Sequence, residues 1–241
     1  TRDPSLKKMH QKNPDSFYFS SSMKSALDRC SNRKSIAAFP ESLDVRVLEA
    51  TDFLLKNRIV DKVCLFAAKE LTLDFAKQHE VNLAKYKEQI IWFAETYSHL
   101  KKDLAVFLTK QQSSKGKKFA DEDLQDMVAS PLYQAAYLLR LDKCNVVLAG
   151  CVHKTAEVIK AGLRVVGLSA KTETVSGSFF MEKEDELYLF ADCGVVVQPT
   201  IEQLVDIASE SVKTWNTLSS SVDHKEKSPA LAFLSFSTKN S

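Results

Sequence analysis

Asp192 and Cys193 stand side by side at the end of an apolar segment, Leu187 to Ala191. A carboxylate can draw a proton from a thiol, and a thiolate can attack a carbonyl, so this pair raises acid–base or nucleophilic chemistry. The plainer reading is a small packed thiol beside a carboxylate that orients its loop. A second constellation, Gly150-Cys151-Val152-His153-Lys154-Thr155, follows a strand-like run and opens a helix. Free amides at such a turn make a candidate anion cradle, with His153 and Thr155 beside it and Lys160 farther along the helix. Any strand–helix crossover looks similar, and His153 can equally be a capping or buried histidine. Ser176 and Ser178 offer hydroxyls along a strand, or simply pack well there, and Ser237, Thr238 and Lys239 leave the last strand-like run. Lys115, Lys117 and Lys118 belong to a basic loop that is either solvated or within reach of an anionic ligand.

These residues need elements to hold them. Strand candidates at Lys34 to Phe39, Val63 to Ala67 and Ile90 to Phe93 alternate with helical stretches. The first helix carries Val47, Leu48, Thr51, Leu54 and Leu55 on one stripe, and Leu71, Phe75 and Ala76 mark the second. Glu95 to Lys110 reads as one helix with Leu100, Leu104, Phe107 and Leu108 inward. Asp121 is expected to cap the next helix, and Ser130-Pro131 to open another as N-cap and first helical position. Asn145 to Ala149 is a further strand candidate. This alternation predicts an α/β fold with parallel strands. Val175 to Met181 and Leu187 to Ala191 flank five charged residues and predict a hairpin. Thr200-Ile201-Glu202-Gln203 is a capping-box sequence, followed by a stripe of Ile201, Leu204, Val205, Ala208 and Val212 expected to be buried. Ala230 to Phe236 reads as a final strand. Residues 1–22 read as an added tag or a disordered extension before a native start at Met23.

Composition narrows the function. With 33 Lys and Arg against 31 Asp and Glu, the net charge of +2 gives no reason to expect nucleic acid or an anionic membrane as partner. No apolar run reaches the roughly 18 residues of a membrane span, and no leader pattern is visible. Five cysteines without CxxC spacing predict free thiols, with Cys64, Cys144 and Cys151 buried, and hence a reducing, cytoplasmic setting. Six glycines form neither GxGxxG nor GxxxxGK[ST], so phosphate groups would have to be held by helix starts, hydroxyls and basic side chains.

Five blocks, in order, resemble the phosphate acetyl/butyryl transferase family. They are Phe39-Pro40-Glu41 with Arg46-Val47-Leu48-Glu49-Ala50, Ala149 to Ala156, Val175 to Met181, Phe190 to Val195 with Pro199 to Leu204, and Leu234 to Lys239. The resemblance implies two α/β domains around a cleft, similar to the isocitrate dehydrogenase architecture, with a first domain over 23–128 and a second over 129–241. It also implies reversible acetyl transfer between acetyl-CoA and phosphate, with the wording leaning to acetyl rather than butyryl. No metal or cofactor is implied, coenzyme A being a substrate, and a cytoplasmic homodimer is expected. The family's Ser-Arg pair and catalytic Asp would follow Ser241, so the carboxy-terminal part is expected to be missing, the catalytic residues stay unassigned and the 241-residue piece alone is expected to be inactive.

By the same resemblance, His153, Thr155, Lys160, Ser176, Ser178, Asp192, Ser237, Thr238 and Lys239 are the substrate-binding candidates. Lys115, Lys117 and Lys118 are candidates for the phosphates of coenzyme A. Lys160 stands where the family carries an arginine, which keeps charge but loses the bidentate fork. Lys154 replaces a threonine, and a further family arginine is lost near Gln112 to Gly116. Such losses leave room for a non-catalytic, acyl-CoA-sensing domain of the same fold.

Overall fold

The computed structural model describes residues 34–113, 120–170, 172–183, 186–219 and 229–234. They fall into two units, 34–173 and 174–234, each with its own sheet.

In the first unit, four strands form a wholly parallel sheet: β1 (Ile36–Phe39), β2 (Lys62–Leu65), β3 (Ile90–Trp92) and β4 (Val146–Val147). Their order across the sheet is β3-β2-β1-β4. The chain thus steps outward from β1 to β3, then returns to place β4 on the far side of β1. The sheet is buried on two faces, as a parallel sheet must be. Ala37, Phe39, Val63 and Leu65 face a core with Val47, Leu48 and Leu55 of α1 (Val45–Lys56) and Ala76 of α2 (Lys69–Gln78). Ala38 and Cys64, one residue out of phase, face the other core. That second core is filled from α4 (Leu100–Ser113), α5 (Asp121–Ala129), α6 (Pro131–Arg140) and α7 (Thr155–Val165).

Several expectations need adjustment. The stretch from Glu95 to Lys110 is two helices, α3 (Phe93–Thr96) and α4, separated at Tyr97-Ser98-His99. Leu71 of α2 is 54% exposed, and Thr72 and Ala76 carry the buried face instead. Asp121 is the first residue of α5 rather than its cap; Ala120 holds the cap position. Asn145 to Ala149 contributes only the two residues of β4, at the sheet edge, with Val146 and Leu148 largely exposed. One helix start behaves as expected, with Ser130 at the cap position and Pro131 opening α6. Asp44, not singled out in the sequence, caps α1 by accepting the Arg46 amide.

In the second unit, β5 (Ser178–Lys183) and β6 (Glu186–Ala191) pair antiparallel, with Ser178 opposite Ala191. A hairpin forms in the expected place, but β5 begins at Ser178 rather than Val175, and the ladder runs into the charged stretch, pairing Glu182 with Leu187 and Lys183 with Glu186; it forms its own two-stranded sheet. Helix α8 (Ile201–Ser219) follows, and its capping box is present. The Thr200 amide donates to Gln203 Oε1 at 2.9 Å, and the Gln203 amide to Thr200 Oγ1 at 3.3 Å. The stripe expected to be buried on α8 is not: Ile201 is 77% exposed and Val205 58%, while Ile207 is the buried residue. Residues 229–234 carry no strand, and Leu231, Phe233 and Leu234 are exposed. Among the described residues, no helix is long and apolar enough to cross a membrane.

Candidate functional site

The strand order β3-β2-β1-β4 reverses direction between β1 and β4. At such a reversal the loops leaving the two strands diverge, and the crevice beyond their carboxyl ends is where open α/β sheets bind ligands. Two of the recurring blocks meet there. Phe39-Pro40-Glu41 leaves β1, and Gly150 to Lys154 leaves β4 and enters α7.

The cradle is real, and it is already filled. Glu41 Oε2 accepts the amides of Gly150 and Cys151 at 2.9 and 2.8 Å. Its Oε1 accepts those of Val152 and His153 at 2.8 and 2.7 Å, and lies 2.8 Å from His153 Nδ1. The expectation that this turn receives a ligand's anionic group is therefore corrected: the anion in it is a side chain of the protein. Burial works against a charge on Glu41, but the amides of His153, Val152 and Cys151 outweigh it and lower its pKa to about 2. Gly150 is suited to the turn, since its φ of 108° lies where side chains with a Cβ are strained.

Neighbouring groups fix the turn from outside. The Arg46 guanidinium donates to the Cys151 carbonyl at 2.7 Å and forks onto both carboxylate oxygens of Asp44 at 2.9 and 2.7 Å. Glu157 accepts the Lys154 amide at 2.8 Å, closing the first turn of α7. Ser42, buried beside Glu41, donates to the Phe39 carbonyl and accepts the Phe66 amide, tying the end of β1 to the end of β2. Cys151, expected to be buried, is exposed, whereas Cys64 and Cys144 are buried free thiols.

Among the candidates, His153 and Thr155 come together at this turn, His153 half-buried and Thr155 exposed as the first residue of α7. Lys160 lies exposed farther along α7. In the second unit, Ser176, Ser178 and Asp192 come together at the open end of the hairpin. Asp192 Oδ1 accepts the Gly177 amide at 2.6 Å, and Oδ2 accepts those of Val195 and Val196 at 2.9 and 2.7 Å. Burial works to raise the Asp192 pKa, but these amides outweigh it and leave it depressed. The carboxylate is thus committed to its own loop. Cys193 Sγ donates to the Phe190 carbonyl at 3.2 Å. Lys115, Lys117, Lys118, Ser237, Thr238 and Lys239 lie outside the described residues. Among the described residues, no group of three or more His, Cys, Asp or Glu side chains is arranged to hold a metal ion.

The sequence reading missed Glu41 and Arg46 as site residues. Both stand in the first recurring block, but a lone glutamate after a strand gives no hint that its partners are four amides 109 to 112 positions later.

Known proteins place this architecture. Phosphate acetyltransferase of Bacillus subtilis is 29% identical over 203 residues, covering 84% of this chain and 58% of that protein. The Treponema pallidum phosphate acetyltransferase is 29% identical over 219 residues, covering 84% and 59%. A phosphotransacetylase structure from Streptococcus pyogenes superposes with a TM-score of 0.74 at 25% identity, over 92% of this chain and 63% of that one. The chain spans roughly three fifths of the length of these relatives. The model of the phosphate acetyl/butaryl transferase family matches residues 21–241, and with that match over most of its length the chain belongs to this family.

Proposed function

We propose that the protein carrying this chain catalyses reversible acetyl transfer between acetyl-CoA and inorganic phosphate, giving acetyl phosphate and CoA. The observation that carries this reading is the family match over residues 21–241, whose curated relatives are named phosphate acetyltransferases. The chemistry needs a deprotonated thiol and donors for the oxyanion that forms on the acetyl carbonyl. In this reading the turn before α7 lines the substrate crevice, with His153 and Thr155 against the substrate and Lys160 supplying positive charge. Asp192 holds its loop in shape, with Ser176 and Ser178 beside it. The basic residues Lys115, Lys117 and Lys118 serve the CoA phosphates, and Ser237, Thr238 and Lys239 contact the substrate. We extend the proposal to two α/β domains flanking a cleft, similar to isocitrate dehydrogenase, and to a cytoplasmic homodimer without metal or cofactor.

The test is CoA-dependent consumption of acetyl phosphate with thioester formation, run beside butyryl phosphate. A folded protein that turns over neither acyl phosphate removes the enzyme reading. Preference for the butyryl compound moves it to butyryl transfer. The presence of Lys160 in place of an arginine fork favours a second reading, an acyl-CoA sensor, which would bind the thioester without turnover.

A further inference from the structure

His153 has two ring nitrogens in different situations. Nδ1 lies 2.8 Å from Glu41 Oε1, while no described residue hydrogen bonds to Nε2. The Glu41 side chain is 2% exposed and that of His153 30%. An ionised carboxylate offers only acceptor sites, so the short contact requires the proton on Nδ1. A neutral imidazole has a single N–H, which leaves Nε2 with a lone pair. The four amides of the turn are spent on Glu41, so a phosphate arriving there would meet a buried negative charge rather than donors.

We propose that Glu41 is a positioning residue that fixes His153 with Nδ1–H turned inward, and that Nε2 accepts a hydrogen bond from the S–H of a coenzyme A thiol at the reversal between β1 and β4. The ligand class follows from the geometry: an open acceptor beside a turn whose amides are already taken up by a buried carboxylate receives a hydrogen-bond donor, not an anion. The choice of a thiol as that donor rests on the acetyl-transfer reading above. No proton changes owner in this contact; it orients the sulfur before a base acts on it. Glu41 plays the part of the outer partner that sets a histidine's tautomer, as carboxylates do behind metal-bound histidines.

Nitrogen NMR of histidine-labelled protein, with His153→Gln to assign the signal, reads the tautomer directly. The expected result is an unprotonated, pyridine-type Nε2 in the unsubstituted protein and a mixture of tautomers in Glu41→Gln. A protonated, pyrrole-type Nε2 in the unsubstituted protein overturns the proposal, whether or not Glu41→Gln folds. Adding CoA should shift the Nε2 signal, while desulfo-CoA, which lacks only the thiol, and inorganic phosphate should not. Equal shifts with CoA and desulfo-CoA, or none with CoA, overturn the thiol assignment. In the acetyl-transfer assay, His153→Gln should raise KM for CoA about 2- to 10-fold, the worth of one hydrogen bond, and leave KM for acetyl phosphate unchanged. Turnover with an unaltered KM for CoA sinks this proposal and leaves the acetyl-transfer reading standing. Absence of turnover in the unsubstituted protein sinks that reading and the thiol with it, while the tautomer still decides the role of Glu41.

Discussion

Asp192 Oδ1 accepts the Gly177 amide at 2.6 Å, and the Cys193 amide donates back to the Gly177 carbonyl at 2.9 Å. The exit of β6 is thereby stitched to the approach of β5. The approach is close: a Cβ on Gly177 would sit 3.1 Å from the Cys193 carbonyl oxygen. Asp192→Ala removes the acceptor for three amides and should destabilise the hairpin unit by about 1–3 kcal/mol. Gly177→Ala should cost less, since the Cys193 carbonyl must give by only a few tenths of an ångström. Denaturant unfolding followed by hairpin-specific hydrogen exchange measures both. Unchanged protection of the Val195 and Val196 amides in Asp192→Ala would contradict this arrangement.

Acid should release the turn before α7. The Glu41 pKa falls from 4.5 to about 2 on folding, so its stabilisation is complete above about pH 4.5 and disappears as pH falls toward 2. The full loss is on the order of 3 kcal/mol. Asp192, also depressed, adds to the loss in the same direction. Stability measured from pH 6 down should decline through this window. Glu41→Gln should be less stable at neutral pH and show a shallower decline. Parallel pH profiles for the two proteins would show that the carboxylate is not responsible.

The thiols should react in a fixed order. Burial pushes Cys64 up to about 12 and Cys144 up to about 11, and both are sealed in the core facing α4 to α7. The thiolate is the reactive form, so neither should be alkylated in the folded protein near neutral pH. Cys151 is exposed and should be modified before either. Peptide mapping by mass spectrometry gives the order. Labelling of Cys64 ahead of Cys151 without unfolding would contradict it.

Leu48 on α1 is completely buried beside β1 and β2. Leu48→Ala should destabilise the first unit by about 2–5 kcal/mol, combining lost burial with the cavity left behind. A loss below 1 kcal/mol in chemical denaturation would mean that the neighbouring side chains collapse into the space.

Much of the scaffold is legible because periodicity reports burial directly. The stripe of Val47, Leu48, Thr51 and Leu55 and the strands β1 to β3 follow from it. The capping box at Thr200 is local chemistry and is equally visible. Periodicity says nothing about whether another element covers a stripe. Ile201 and Val205 have helical spacing yet lie exposed. β4 looks strong in sequence but is reduced to two paired residues at an edge, where only one neighbour is available. In the candidate site, His153 and Thr155 could be singled out because glycine, histidine and a helix start sit together. Glu41 could not, because its significance lies in partners distant along the chain.

That distance also sets when the turn forms as the chain folds. Glu41 and the amides it receives are 109 to 112 residues apart, and the β1–β4 pairing beneath them closes a loop of similar length. Closing a flexible loop of about 110 residues costs on the order of 4 kcal/mol in chain entropy. The local crossovers β1–α1–β2 and β2–α2–β3 close far shorter loops and can assemble first. Contacts of high sequence separation slow folding, so the turn before α7 belongs among the last structures to arrive. A nascent chain in which β1 to β3 have already docked would still lack it until β4 has been synthesised and paired.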